Sequence, residues 1–433
     1  MRTLLARLEA RFRLLTFAGA MLPTMGALAL QFVTFTVTAR GLGVQQFGRY
    51  AAVLALAAIG VELVGLGGAD LLVRGTARNP ASFARYYGNM LLLIAVTLPW
   101  VVLAGMAVAL GPMQMHMALA ALGAALAAEI ASARMSTSLE SVMVAHGHTV
   151  AAGWVRMASV LTRLGAAVLF FVAFGGRDLD RWIAVVVVQS ALLCVACLVV
   201  GSRLYARPLW SLVRDEMSTG AAFCIGQVAR SSQSNMDRVV LARFADEAAL
   251  GAYGAASRVL QLGLFPMQVV TRILYPKFFI HGANGLRASR HFALRTAAPA
   301  LLAVGVLSCL ALLLVARFVP AILGKDFAQS SGTTMLLSLA LPLIALQYPA
   351  ADALTGAGRQ ALRAGIYAAA SVGFGLLLAA GALWDGVLGT TLAFIGGHGL
   401  LAAILWGATF VCRDSAPVPA PAPAPPLRAG QGA

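Results

Sequence analysis

Long apolar stretches separated by short polar segments recur along the whole chain. Most reach or approach the 20 or so residues that an α-helix needs to cross about 30 Å of hydrocarbon. We therefore predict an all-α integral membrane protein with 12 transmembrane helices. The predicted spans are 14–38, 50–73, 88–110, 117–139, 157–175, 182–201, 218–241, 250–275, 296–316, 332–355, 364–383 and 386–411.

The overall composition excludes the soluble classes of protein. Apolar residues make up 60% of the 433-residue chain and charged residues only 11%, with a mean hydropathy of +0.84. A soluble domain carries about 25% charged residues. The longest predicted external loop, 317–331, is too short for a catalytic domain. We expect the function to reside within the helical bundle, without catalytic residues, a cofactor or a metal site.

The positive charges are unevenly distributed between the predicted loops. The net charge is +16, and with both termini in the cytoplasm 19 lysines and arginines fall in cytoplasmic segments and 7 in external ones. The positive-inside rule requires this asymmetry. We interpret the basic excess as a signal for orientation and for binding anionic membrane lipids, not nucleic acid. The Pro/Ala-rich segment 413–433 is predicted to be a disordered tail.

An internal repeat relates the two halves of the chain at an offset of 203 residues. Six predicted spans separate the copies, so both halves cross the membrane in the same direction. This arrangement is typical of alternating-access transporters, with a duplicated structural bundle as the alternative. We predict an N-terminal lobe 1–205 and a C-terminal lobe 206–412, each of six helices. The aligned pairs include Arg40 and Arg243, Gly48 and Gly251, and Tyr50 and Tyr253.

Ionisable side chains inside the predicted spans mark the candidate site. A charge in mid-membrane is costly, so it normally faces a cavity or a partner. Arg163, Arg230 and Arg258 lie deepest, and we predict that they face a lumen. A cluster of guanidinium groups there would bind an anion, and phosphate suits the planar guanidinium. Arg134 and Glu140 could equally form structural ion pairs that lock spans 4 and 5 together.

Three segments carry motifs in a specific order and spacing. The first is ARGLGVQQFGRYA after span 1, and the second is SNMDRVVLARFADEAALGAYGAASRVLQL across spans 7 and 8. The third joins AILGKDFAQSS to the later LTGAGRQALRAGIYAAAS. Together they resemble the polysaccharide-transporter (Wzx-type) flippases of the MOP superfamily, from about Leu14 to Trp406. Asp237, Arg238 and Arg258 lie in stretches that match this family's motifs.

The resemblance implies two parallel six-helix lobes around a central cationic cavity. It also implies transport of undecaprenyl-diphosphate-linked oligosaccharides across the bacterial inner membrane, for O-antigen, capsule or exopolysaccharide assembly. The direction would be from the cytoplasmic to the periplasmic leaflet, with polysaccharide polymerase and export proteins as further partners. The predicted diphosphate ligands are Arg163, Arg230, Arg258 and Arg40, and the candidates for coupling to H⁺ or Na⁺ are Glu62, Glu129 and Asp237.

Other functions remain open at this point. A multidrug antiporter of the same superfamily would export cationic amphiphiles, to which an arginine-rich lumen in a chain with 8% aromatic residues is poorly suited. A membrane-embedded polysaccharide polymerase or ligase would need a large external loop with catalytic side chains, which the predicted topology lacks. A scaffold that keeps the fold without transporting is a third alternative.

Overall fold

The structure, a computed structural model, describes residues 2–412, with side chains from residue 22 onward. The predicted tail 413–433 lies outside the described residues. Every regular element of the described chain is helical. The α-helices are α1 (Arg2–Leu63), α2 (Gly68–Arg78), α3 (Phe83–Leu110), α4 (Leu119–Ala145), α5 (Thr149–Ala167), α6 (Leu179–Leu204), α7 (Met217–Phe244), α8 (Glu247–Gly282), α9 (Leu286–Phe292), α10 (Ala298–Ala316), α11 (Val319–Leu323), α12 (Gln329–Ser338), α13 (Ala340–Gly356) and α14 (Gln360–Val411).

The helices correspond to the predicted membrane spans. Eight helical stretches within residues 22–412 are long and apolar enough to cross a membrane. The first and last are long enough for two passes and are interrupted by non-helical backbone, at Gly43 (φ 73°) in α1 and at Asp385 and Gly386 in α14. The expectation of an all-helical protein with many membrane spans is therefore confirmed.

A glycine run interrupts the second predicted span. Gly65, Leu66 and Gly67 have consecutive positive φ angles of 81°, 43° and 72°, which separate α1 from α2. The freed backbone N–H of Gly65 donates to the hydroxyl oxygen of Thr97 at 2.8 Å. Broken helices are tolerated in membranes where such groups are satisfied within the protein.

The described helices form two compact units. The larger contains residues 2–260, Leu313–Leu337 and Tyr367–Phe394, and in it α4 packs against α1, α2, α3, α5 and α6. The smaller contains Gln261–Leu312, Ser338–Ile366 and the stretch from Ile395 to the end of the described chain. In the smaller unit α13 packs on α9. The predicted lobe boundary between residues 205 and 206 stays a prediction.

The two copies of the sequence repeat touch each other within the larger unit. A Cβ atom on Gly48 of α1 would lie 2.0 Å from the carbonyl oxygen of Glu247, at the start of α8. A Cβ atom on Gly251 would lie 2.0 Å from the carbonyl oxygen of Val44. Val44 and Glu247 are separated by the same 203 residues as the two glycines. The contact therefore has local two-fold symmetry, and only glycine permits this approach of the two backbones.

Candidate functional site

A buried ion pair joins α4 to α5 near the centre of the larger unit. Arg163 donates through Nη1 to Oε1 of Glu129 (2.7 Å) and through Nη2 to Oε2 (3.2 Å). Their side chains are only 17% and 13% exposed. The hydroxyl of Tyr50 on α1 donates to the same Oε1 at 2.5 Å, and its ring packs edge-on against Trp182. The carboxylate is thus bound by a bidentate guanidinium and a phenol, a strong arrangement in a low-dielectric setting.

A second buried pair lies on α7. The side chains of Asp237 and Arg238 are 3% and 2% exposed, with Oδ1 of the aspartate 3.6 Å from Nε of the arginine. Arg238 also donates through Nη2 to Oδ1 of Asn235 (2.6 Å) and to the carbonyl oxygen of Ser234 (2.9 Å). The hydroxyl of Tyr253 on α8 donates to Oδ2 of Asp237 at 3.0 Å.

The two tyrosines occupy equivalent positions of the sequence repeat. Tyr50 donates to a carboxylate from α4, and Tyr253 donates to a carboxylate from α7. Both tyrosines are nearly inaccessible, at 4% and 0% exposure. The duplication thus supplies one buried phenol to each ion pair, while the acidic partners come from positions that the repeat does not relate.

Arg258 on α8 adds a third guanidinium to this region. It is close enough to Arg238, Glu129 and Tyr50 to interact electrostatically with all three. With it, the cluster contains three guanidinium groups and two carboxylates, so its net formal charge is positive. We call this cluster the arginine network; it consists of Tyr50, Glu129, Arg163, Asp237, Arg238, Tyr253 and Arg258.

The structure brings together some of the predicted diphosphate ligands. Arg163 and Arg258 both belong to the arginine network, whereas Arg230 is exposed on α7 and interacts electrostatically with Glu62. Arg40 is exposed on α1 and donates to the carbonyl oxygen of Ala321 at 3.1 Å. Both terminal nitrogens of Arg163 face Glu129 here, so binding of a diphosphate at Arg163 would require that pair to open.

The predicted ion-coupling candidates lie in two places. Glu129 and Asp237 belong to the arginine network, while Glu62 lies near the break between α1 and α2, in electrostatic range of Asp70 and Arg134. Arg134 is 7% exposed, its guanidinium packs against Gly65, and its Nε has no hydrogen-bond partner among the described residues.

Of Arg134 and Glu140, for which structural ion pairs between α4 and α5 were one interpretation, only Glu140 forms such a pair among the described residues. Its partner is Arg156 on α5. Arg134 makes no salt bridge within the described part of the chain; its nearest charged neighbours are on α1 and α2. Within residues 22–412 there is also no group of three or more His, Cys, Asp or Glu side chains that could hold a metal ion.

We expect Tyr253→Phe to destabilise the protein by about 1–3 kcal/mol, because the buried Asp237 carboxylate would lose a hydrogen-bond donor that water cannot replace. Thermal unfolding in detergent measures the effect. Tyr275→Phe is the matched control, because it removes the same hydroxyl group from a tyrosine whose described contact is the edge-on packing of its ring against Phe279. Equal midpoints for wild type and Tyr253→Phe would contradict the prediction.

The fold is shared with solved structures of a lipid flippase and of MATE transporters. The Lipid II flippase MurJ, in an inward closed conformation, gives a TM-score of 0.71 at 11% identity, covering 90% of this chain and 87% of that one. An inward-facing multidrug resistance MATE family transporter gives 0.68 at 14% identity, covering 88% and 94%. The Vibrio cholerae MATE transporter VcmN gives 0.61 at 17% identity, covering 90% and 94%. The chain therefore has the helical fold of these membrane proteins, as the resemblance seen in the sequence implied.

The family follows from the sequence. A family model described as polysaccharide biosynthesis protein matches residues 19–279, more than half of the chain. The chain belongs to this family, and every residue of the arginine network lies in the matched stretch. No curated protein sequence matches the chain significantly.

Proposed function

We propose that the protein is a flippase for undecaprenyl-diphosphate-linked oligosaccharides in the bacterial inner membrane. It moves the lipid-linked unit from the cytoplasmic to the periplasmic leaflet by alternating access, for O-antigen, capsule or exopolysaccharide assembly. Membership of the polysaccharide biosynthesis family supports this proposal, as does the fold shared with a Lipid II flippase. The observation that carries it is the arginine network.

The proposed architecture has twelve spans in two parallel six-helix lobes around a cationic cavity, with both termini in the cytoplasm. The breaks at Gly43 and at Asp385 and Gly386 divide α1 and α14 into two passes each. The helices α7 and α8, which are 28 and 36 residues long, would each cross the membrane once. Charged side chains lower their hydropathy, so they are not among the eight apolar stretches. These helix lengths and breaks support the proposed twelve passes.

The chemistry of the arginine network suits a diphosphate. Arginine binds phosphate through paired N–H donors, and the bond gains strength in a site with little water. The network already carries one more guanidinium than carboxylates. Displacing a carboxylate from its arginine would create a larger cationic surface for the incoming anion.

This exchange also suggests how an ion gradient could drive transport. A proton or Na⁺ that neutralises Glu129 would release Arg163, and one that neutralises Asp237 would release Arg238. Ion binding and diphosphate binding would then favour each other, because both remove a carboxylate from its guanidinium. Glu62 remains a further candidate for the same role, beside Arg134.

The test is leaflet-resolved transport of a labelled undecaprenyl-diphosphate oligosaccharide in vesicles containing the purified protein. Arg258→Ala is expected to reduce the rate about tenfold or more, the loss that accompanies removal of one charge-assisted contact. Arg230→Ala tests the exposed candidate in the same way. Arg207→Ala, which removes an exposed arginine from the segment between α6 and α7, should transport at the wild-type rate.

Two results would contradict the proposal. Arg258→Ala protein that folds and transports as well as the wild type would remove the network from the substrate site. Failure of the wild type to move any lipid-linked glycan, together with efflux of a cationic dye, would instead favour a multidrug antiporter; one of the similar structures is a multidrug resistance transporter.

A further inference from the structure

A basic cavity lies in the smaller unit, at the end of α14, and shares no residue with the arginine network. Its volume is about 480 Å³, and it opens beside the short helix α9. Two arginines line it, and no carboxylate does so among the described residues. The lining residues are Leu286, Arg287, Arg290, Thr409, Phe410, Val411 and Cys412.

The guanidinium of Arg290 is held in place by two contacts. Its Nη1 donates to the carbonyl oxygen of Thr409 at 3.0 Å, and its central carbon lies 4.5 Å from the ring centre of Phe410. A guanidinium has five N–H donors, and the described contacts of Arg290 use one of them. Arg287 lies three residues earlier on α9 and therefore on the same side of the helix. Two cationic groups thus line one cavity.

The rim of the cavity is apolar and exposed. Phe410 is 57% exposed and Val411 is 83% exposed, at the point where α14 ends. Exposed apolar side chains at the end of a membrane span face acyl chains or the interface, and the cations beside them lie at the level of lipid headgroups. A ligand with a phosphate and an acyl chain would use both surfaces, whereas a soluble anion would use only the arginines.

We propose that this cavity binds the phosphate of an anionic phospholipid headgroup, with its acyl chains along Phe410 and Val411. Basic pockets between the ends of transmembrane helices are known to hold such headgroups. In the predicted topology this end of the unit faces the cytoplasm, together with Lys277 and Arg295. The site is independent of transport, so it stands or falls separately from the proposed function.

The test is a titration of the purified full-length protein in detergent with dioctanoyl phosphatidylglycerol, with native mass spectrometry measuring the lipid-bound fraction. Saturable binding is expected, with dioctanoyl phosphatidylcholine binding more weakly. The double variant Arg287→Gln/Arg290→Gln should bind phosphatidylglycerol about tenfold more weakly or worse. The control Arg203→Gln/Arg207→Gln removes the same charge from another predicted cytoplasmic segment and should bind as the wild type does.

Three outcomes would overturn the proposal. These are unchanged affinity in the double variant, an equal loss in the control, and competition by inorganic phosphate as effective as by the lipid, which would indicate a site for soluble anions. If the double variant does not fold, Arg287→Gln alone changes an exposed residue and should still weaken lipid binding. Wild-type affinity in that single variant would also refute the site.

Discussion

Replacing Glu129 by glutamine is expected to lower the free energy of unfolding by roughly 3 kcal/mol, because the substitution leaves a largely buried guanidinium without its counter-charge. Arg163 is 17% exposed, and both of its terminal nitrogens donate to this carboxylate. Thermal unfolding in detergent, followed by intrinsic fluorescence, measures the change, since Trp182 packs on the neighbouring Tyr50.

The matched control is Glu140→Gln. Glu140 pairs with Arg156, so this salt bridge joins the same helices, α4 and α5; Glu140 is 13% exposed, like Glu129, but Arg156 is 46% exposed. Because water reaches the Arg156 guanidinium, the loss of its partner should cost at most about 1 kcal/mol, and this variant should unfold close to the wild type. Similar losses in the two variants would show that burial does not set the strength of the Glu129 pair.

Gly48→Ala is expected to destabilise the protein by roughly 2–3 kcal/mol, the cost of forcing apart two packed backbones. The added methyl group would lie 2.0 Å from the carbonyl oxygen of Glu247, and a carbonyl cannot rotate away as a side chain can. Gly251→Ala should cost a similar amount because its contact with Val44 has the same geometry. The double variant should lose less than the two singles together, since the first substitution already separates the helices.

Gly165→Ala on α5 is the control for this pair. No atom lies within 4 Å of the position that its Cβ would take. Alanine is the better helix former, so this variant should be as stable as the wild type or gain about 0.5–1 kcal/mol. Unfolding midpoints measured in one detergent compare all the variants. Wild-type stability in Gly48→Ala would show that α1 and α8 do not need this contact.

The sequence predicts where helices cross the membrane better than where they end. Each span must carry a long apolar run, so hydropathy marks its passage through hydrocarbon. Helices can continue into water with polar residues, which hydropathy does not register. The predicted eighth span stops at residue 275, whereas α8 extends to Gly282, and the predicted loop after it contains α9.

The sequence predicts the charged members of the site but not their partners. A charge inside a span is conspicuous because it is costly, which is why Arg163, Arg258 and Glu129 could be selected. Their pairing depends on how each helix is rotated against its neighbours, which one chain's sequence does not specify. The sequence identified Tyr50 and Tyr253 only as repeat positions, because hydropathy does not indicate which tyrosine hydroxyls form hydrogen bonds. Their hydrogen bonds to the carboxylates required the structure.

The matching contacts of Gly48 and Gly251 bear on the ancestry of the chain. In a symmetric homodimer the same surface of each subunit contacts the other subunit. The two copies of the repeat contact each other in this way within one chain. An ancestor of half this length could already bury that surface as a dimer, and gene fusion would add only the segment between α6 and α7. Once the halves are joined, each can evolve separately. In the present chain the carboxylate partners of the two tyrosines come from positions that the repeat does not relate, whereas Gly48 and Gly251 make equivalent contacts.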